Sequence, residues 1–160
     1  MYKIEKIISG GQTGADRAAL DFAINSNIPH GGWIPKGRIT EGGQLPEQYH
    51  LQEIETTNYD KRTEKNVIDS DGTVIISHGN LTGGSALTQT YTIKHRKPCL
   101  HLDMNNATIA EVADSLNNWI KKNNIKILNV AGPRASKDNN IYQVTRDILE
   151  TTFIKDKIHG

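Results

Sequence analysis

The sequence predicts an α/β fold, a Rossmann-like three-layer sandwich in which a mainly parallel sheet of about five strands carries helices on both faces. Two observations support this prediction. Short apolar runs typical of buried strands alternate along the chain with segments whose apolar residues recur at three- and four-residue steps, the spacing of a helix. Glycine-rich turns join strands to the helices that follow, and alternation of this kind favours right-handed crossovers and parallel pairing.

Five apolar runs are predicted to form the strands, and the clearest of them is rich in β-branched residues. In chain order they are Ile4–Ser9, His30–Ile34, Thr73–Ser77, Cys99–Asp103 and Ile125–Gly132. For their arrangement across the sheet we expect the order 2-1-3-4-5, in which neighbours in sequence are mostly neighbours in space.

Helices are predicted between these strands and after the last one. Thr108 is a suitable N-cap for one of them because Glu111 follows three residues later, as in a capping box. The predicted helices are Ala15–Asn25, Asp60–Asp69, Ser85–Lys94, a segment from Thr108 to about Asn123, and Ile141–Phe153. The Gly- and Pro-marked segment Pro35–His50 is predicted to be a long loop, and loops of that length in compact domains are usually functional or disordered.

Composition limits the classes of function. With 160 residues, 17.8 kDa and 36% hydrophobic content, residues 1–160 are expected to form a single ligand-binding domain. The formal net charge is only +1, so no global basic field indicates binding to nucleic acid or a membrane. The first residues, MYKIEKII, lack the apolar core of a signal peptide, and we therefore expect a cytoplasmic protein.

The first glycine turn, GGQTG at residues 10–14, stands between the first strand and the first helix. Glycines there would let backbone N–H groups approach a ligand, and the helix N-terminus behind them favours an anion. The spacing matches neither a P-loop nor a dinucleotide fingerprint. A tight turn with no ligand would also use these glycines, so both interpretations stay open.

Two further turns follow predicted strands in the same way. The second, HGNLTGGSALT at residues 78–88, combines glycines with hydroxyl side chains at a helix start, which suits phosphate or another oxyanion. The third, NVAGPRAS at residues 129–136, places Arg134 after a strand, where a guanidinium can bind a phosphate or carboxylate with two parallel hydrogen bonds. Since ligands of open parallel sheets bind beyond the carboxyl ends of the strands, we expect these turns to converge.

Charged residues of the long loop could close over such a ligand. Lys36 and Arg38 are expected to cap the crevice, and Trp33 or Tyr49 could stack on a flat ring, although an exposed lid with solvated charges explains the same residues. Arg62, Thr63 and Asn66 share one face of their predicted helix, which indicates a site or an interface. The six histidines show no spacing typical of a zinc site, so no protein metal site is expected.

Five ordered segments, SGGQTGADRAAL, GGWIPKGRITEGG, YDKRTEKNVIDSDGTVII, TGGSALT and NVAGPR, resemble the molybdenum cofactor carrier protein family over about Ile7 to Glu150. The resemblance implies a Rossmann-like fold, a homo-oligomer (dimer or tetramer), and binding of the molybdenum cofactor (molybdopterin), a pterin with a terminal phosphate and a metal-binding dithiolene. The same superfamily includes the cytokinin-activating phosphoribohydrolases. Their glycine signature, aligned on Gly83 and Gly84, has an acidic residue where this chain has Thr90, which argues against N-glycoside hydrolysis.

The primary hypothesis is a carrier without chemistry of its own, which binds a small phosphorylated, ring-bearing ligand. The residues expected to contact this ligand are Gly10, Gly11, Gln12, Thr13, Gly14, Asp16, Arg17, Lys36, Arg38, Thr82, Gly83, Gly84, Ser85, Thr88, Gly132 and Arg134. The bound ligand would be the molybdenum cofactor or a nucleotide. The alternatives are an enzyme acting on nucleoside monophosphates, with Glu41 or Asp16 as its acid, and a nucleotide sensor that signals through partner proteins.

Overall fold

The computed structural model of the protein describes residues 3–155. Its strands are β1 (Lys6–Ile8), β2 (His30–Gly31), β3 (Trp33–Ile34), β4 (Ile39–Thr40), β5 (Gly43–Gln44), β6 (Gln52–Glu53), β7 (Gly72–Ser77), β8 (Cys99–Asp103) and β9 (Ile127–Ala131). Its helices are α1 (Ala15–Asn25), α2 (Tyr59–Asp69), α3 (Gly83–Lys94), α4 (Ile109–Lys122) and α5 (Ile141–Glu150), with a 3-10 turn at Met104–Asn106 and a π-helical turn at Thr151–Lys155.

The predicted fold class is confirmed. Five parallel strands form the main sheet in the order β2-β1-β9-β7-β8. Helices α1, α4 and α5 pack on one face, where their apolar side chains join those of Ile7, Val74, Ile76, Leu128 and Val130 in the main core. Helices α2 and α3 cover the other face. No helix within residues 3–155 is both long and apolar enough to cross a bilayer.

The expected strand order, 2-1-3-4-5, is wrong. The last strand, β9, lies between β1 and β7 instead of at the edge, so the order in chain numbering of the five strands is 2-1-5-3-4. The central place suits β9 because Leu128 and Val130 are fully buried, whereas Cys99, Leu100 and His101 of the edge strand β8 are only half-buried. Counted from β9 as the first strand, the order becomes 3-2-1-4-5, that of a Rossmann sheet.

The predicted strand His30–Ile34 is divided between two sheets. β2 pairs with β1, while β3 pairs with β6 in a separate two-stranded sheet. The break is at Gly32, whose φ of 129° is a conformation that favours glycine and whose missing β-carbon leaves room for the backbone of Ser9. The predicted loop Pro35–His50 contains a small hairpin, β4–β5, with Glu41 and Gly42 at its tip.

Candidate ligand-binding crevice

A crevice of about 370 Å³ lies beyond the carboxyl ends of the sheet strands. Residues from the turns after β1, β7 and β9 line it, together with one face of α2. This is the point where the winding of the sheet reverses between β9 and β7, the usual ligand position in such folds. The volume lies within the range of small-molecule sites.

The structure brings about half of the expected ligand-binding residues to this crevice. Those that line it are Gly10, Gln12, Asp16, Thr82, Gly84, Ser85, Thr88, Gly132 and Arg134. Those that lie outside its lining are Gly11, Thr13, Gly14, Arg17, Lys36, Arg38 and Gly83. The three turns therefore converge as expected, but they do not contribute equally.

The first turn is occupied by the protein's own side chains. The Gln12 N–H donates to Oδ2 of Asp16 over 3.2 Å, and the Thr13 N–H donates to Oε1 of Gln12 over 3.0 Å. The Gly11 N–H donates to the Ser9 hydroxyl over 3.4 Å. An open anion cradle at this turn was expected, and the structure corrects that expectation because a local carboxylate and amide already accept these N–H groups.

The glycine at the start of α1 joins the first turn to the third. Gly14 has a φ of 80°, and a β-carbon there would lie 2.8 Å from the backbone nitrogen of Ala135. Close approach allows the Ala15 N–H to donate to the Pro133 carbonyl and the Ala135 N–H to donate to the Thr13 hydroxyl. Gly14 and Thr13 therefore position the third turn and do not line the crevice.

Three cations expected at the ligand lie elsewhere. Arg17 donates to the Gly11 carbonyl and packs over the Tyr49 ring, 5.1 Å from its centroid. Arg38 donates to the carbonyls of four loop residues, Leu45, Pro46, Tyr49 and Leu51, and thereby closes the base of the hairpin loop. Lys36 is exposed outside the crevice. The structure therefore does not show the expected cap by Lys36 and Arg38, because the hydrogen bonds of Arg38 stabilise its own loop.

The second turn, in contrast, leaves two N–H groups open at the start of α3. Helix α3 begins at Gly83, and its N-cap Thr82 makes no side-chain capping bond. Within the described residues, the N–H groups of Gly83 and Gly84 have no acceptor. Ser85 is 8% exposed, lines the crevice, and its hydroxyl has no hydrogen bond in the same part of the chain. Free N–H groups at a helix start, with a hydroxyl beside them, suit an anion.

One cation lies beside the start of α3, and a second lines the same crevice. A β-carbon on Gly83 would lie 2.8 Å from Nζ of Lys137, which places that ammonium group beside the helix N-terminus. Arg134 lines the crevice with a half-exposed side chain. His78 and Asp138 also line the crevice, and Nδ1 of His78 lies 2.5 Å from Oδ2 of Asp138.

Arg62 of α2 forms part of the crevice floor. Its residue exposure is only 9%, and burial lowers the pKa of its guanidinium, an effect that Asp16 opposes. Nη1 donates to the Gly10 carbonyl over 2.5 Å, and the guanidinium carbon lies 5.4 Å from the centroid of the Tyr59 ring. Burial raises the pKa of Asp16 from 3.8 to about 6, although Arg62 and the Gln12 N–H oppose the rise.

Glu41 connects the hairpin tip to the first and third turns. Its carboxylate accepts from the Thr13 hydroxyl, from the N–H and hydroxyl of Ser136, and lies 3.3 Å from Nε of Arg134. Hydrogen bonds from Ser136 and Thr13, and then the charge of Arg134, hold the pKa of Glu41 below its usual value. Glu41 lies outside the crevice lining, which disfavours it as a substitute for a catalytic acid.

Some crevice residues were missed or only partly anticipated. The face shared by Arg62, Thr63 and Asn66 was predicted to be a site or an interface, and all three residues line the crevice. Lys137 and Asp138 were missed, although they follow Arg134 closely and could have been included by extending the third turn. Thr90, at the acidic position of the phosphoribohydrolase signature, is exposed and donates to the Ala86 carbonyl. Within residues 3–155, no three His, Cys, Asp or Glu side chains cluster as metal ligands would.

Comparison with known proteins agrees with the fold and with the resemblance seen in the sequence. The model of the circularly permutated YpsA SLOG family matches residues 7–153. The crystal structure of the "Putative molybdenum carrier protein" from Syntrophus aciditrophicus SB is 61% identical, with 94% of this chain and 95% of that chain covered and a TM-score of 0.93. No curated protein matches the chain. The chain belongs to the circularly permutated YpsA SLOG family.

Proposed function

We propose that the protein binds and carries a small phosphorylated, ring-bearing ligand in the crevice, with the molybdenum cofactor as the first candidate. The observation that supports this most directly is the open start of α3, where two free N–H groups lie beside the Ser85 hydroxyl and the Lys137 ammonium. A terminal phosphate has the charge and the acceptor oxygens that this arrangement favours.

The ring of the ligand would contact a different part of the same crevice. Tyr59 lines its margin with 45% of its surface exposed, and Leu81 and Leu87 add apolar lining. An exposed aromatic side chain next to a guanidinium is a suitable stacking partner for a flat heterocycle. An aromatic contact in addition to the anion contacts favours a ligand larger than inorganic phosphate.

Two further observations favour carriage over hydrolysis. The relative at 61% identity has the name "Putative molybdenum carrier protein". Because residue 90 is a threonine, this position offers no carboxylate to stabilise positive charge on a ribose, and its hydroxyl donates within its own helix. Homo-oligomeric assembly and cytoplasmic location remain predictions.

Isothermal titration calorimetry tests the proposal. Molybdenum cofactor, pterin phosphate, nucleoside monophosphates, molybdate and inorganic phosphate are titrated separately into the wild-type protein, and at least one phosphorylated ring compound is expected to bind at least about tenfold more tightly than phosphate. K137A is expected to weaken that binding severalfold, whereas K36A, which removes a lysine outside the crevice, serves as the matched control. If no ring compound exceeds inorganic phosphate, the carrier proposal is wrong.

A second candidate is an enzyme acting on nucleoside monophosphates, and Asp16 favours it. A carboxyl group whose pKa is raised to about 6 in a crevice can act as a general acid or base near neutral pH. The test is release of free base from nucleoside monophosphates, followed by chromatography. Activity that is present in the wild type and lost in D16N would favour the enzyme over the carrier.

A further inference from the structure

The floor of the crevice holds two opposite charges that do not pair directly. Asp16 and Arg62 come from different helices and meet beside Gly10, where a β-carbon would lie 2.6 Å from Nη1 of Arg62 and 2.9 Å from Oδ2 of Asp16. No ion pair joins the two side chains among those found in residues 3–155. Asp16 instead accepts the Gln12 N–H, and Arg62 donates to the Gly10 carbonyl.

Arg62 has capacity for another partner on the crevice side. A guanidinium carries five N–H donors, and within the described residues only Nη1 of Arg62 makes a hydrogen bond. The side chain lines the crevice, so an anion bound there has access to the remaining donors. Such an anion would also come close to Asp16, which lines the same floor.

We propose that Asp16 is an internal counter-ion of Arg62 that competes with an anionic ligand, so that binding of the ligand is coupled to uptake of a proton by Asp16. The inference rests on the proposed function, because it requires that an anion binds in this crevice. Two negative charges close to one buried guanidinium repel each other, and protonation of the carboxyl removes that repulsion. The pKa of Asp16, raised to about 6 by burial, places this proton uptake near neutral pH.

Other charged groups also act on Asp16 or line the crevice. Arg17 on α1 and Arg62 on α2 both act on the carboxyl, and both keep their charge across the neutral range. His78 also lines the crevice, so its contribution is tested separately. The remaining charged or titratable residues in the lining are Tyr59, Asp60, Arg134, Lys137 and Asp138.

The experiment measures sulfate binding by calorimetry between about pH 5 and about pH 8, because sulfate keeps its charge over this range. In the wild type, the dissociation constant is expected to fall about tenfold or more as the pH decreases, the effect of one or more pKa units of coupling. D16N is expected to bind sulfate tightly with little pH dependence. H78Q is expected to retain the pH dependence of the wild type.

The results distinguish coupling to Asp16 from anion binding alone. A wild-type affinity that does not change with pH, or an equal change in D16N, would overturn the coupling while leaving anion binding and the proposed function intact. Absence of sulfate binding by both proteins at every pH would overturn the inference, whereas the proposed function is decided separately by the titrations with ring compounds. If D16N fails to fold, calorimetry of the wild type in two buffers of different ionisation enthalpy replaces it. Proton uptake on sulfate binding near pH 7 supports the coupling, and its absence contradicts it.

Discussion

The glycine turns after β1 and β7 both connect a buried strand to a helix, yet they use their backbone N–H groups differently. After β1, the N–H groups of Gly11, Gln12 and Thr13 donate to Ser9, Asp16 and Gln12. After β7, the N–H groups of Gly83 and Gly84 at the start of α3 have no acceptor within residues 3–155.

The difference teaches that glycine content alone does not identify an anion site. At the first turn, the carboxylate of Asp16, in the first turn of α1, supplies an internal anion, and the glycine turn has a structural role. At the second, the first turn of α3 contains no acidic residue. Whether a turn is open therefore depends on the side chains in the first turn of the following helix.

The largest effect is expected at Asp16, the internal anion of the first turn. Asp16 has an ordinary pKa of 3.8, and burial raises it to about 6, so the folded state binds this proton more tightly than the unfolded state does. Its contribution to stability is therefore favourable below pH 3.8 and is lost as the pH rises through about 6.

The D16N variant removes this pH dependence. Relative to the wild type, its free energy of unfolding is expected to increase by up to about 3 kcal/mol between about pH 4 and about pH 7.5. Urea denaturation of both proteins at several pH values measures the difference. A difference independent of pH would show that the carboxyl is not buried unfavourably, and the contrast between the turns would lose its basis.

The next largest effect is expected when a carboxylate is placed in the second turn, as Asp16 is in the first. A β-carbon on Gly84 has no neighbouring atom within 4 Å, so G84D places a carboxylate at the start of α3 without steric conflict. The new anion is expected to accept the free N–H groups and to weaken phosphate binding about tenfold or more, while it stabilises the helix by about 0.3–1 kcal/mol.

The G84N variant is the matched control, because it has nearly the same shape without the charge. We expect its phosphate affinity to stay within about threefold of the wild type. Calorimetry measures affinity, and thermal denaturation measures stability. Equal phosphate binding by G84D and the wild type would place the anion site away from α3.

Much of the fold could be predicted because it depends on local sequence patterns. Helix α1 and strand β8 have the predicted bounds, and Thr108 caps α4 as expected, with its hydroxyl accepting the Glu111 N–H. The position of β9 could not be read locally, since a buried apolar run does not specify which strands lie beside it. That choice depends on how the whole chain buries β9 on both faces.

The candidate site was predictable at the level of turns and less so for individual side chains. The convergence of three turns follows from parallel strands ending at one edge of a sheet. The role of Arg38 does not, because a long side chain can reach the ligand or its own loop from the same position. Asp16 is intermediate: its proximity to Gln12 is local, but its relation to Arg62 depends on a contact between α1 and α2.

A smaller effect is expected at the joint between the first and third turns. E41Q keeps the size of Glu41 but weakens its contacts with Ser136, Thr13 and Arg134, and we expect a loss of about 1 to 2 kcal/mol in unfolding free energy. Because these contacts hold the pKa of Glu41 below 4.5, the loss should be complete above pH 4.5 and should disappear as the pH falls through the lowered pKa.

Hydrogen exchange locates the effect of E41Q. Residues 39–44 of the hairpin and residues 134–138 of the third turn are expected to exchange faster, while the backbone at the start of α3 changes little, since Glu41 makes no contact there. T90A, which removes an exposed hydroxyl far along α3, is the control. Faster exchange at α3 in E41Q would mean that the two turns are coupled and do not act independently.

The smallest effect is expected at Lys36, which lies outside the crevice and is compared with Lys137 at the second turn. Lys36 is exposed outside the crevice, so K36A should change phosphate affinity by less than about twofold at moderate ionic strength. Lys137, beside Gly83, has the same charge and a similar side chain but lies at the open turn. Because both variants lower the net charge equally, a difference between K36A and K137A measures position alone. Calorimetry at two salt concentrations separates this effect from long-range attraction, and equal losses in both variants would mean that binding responds only to overall charge.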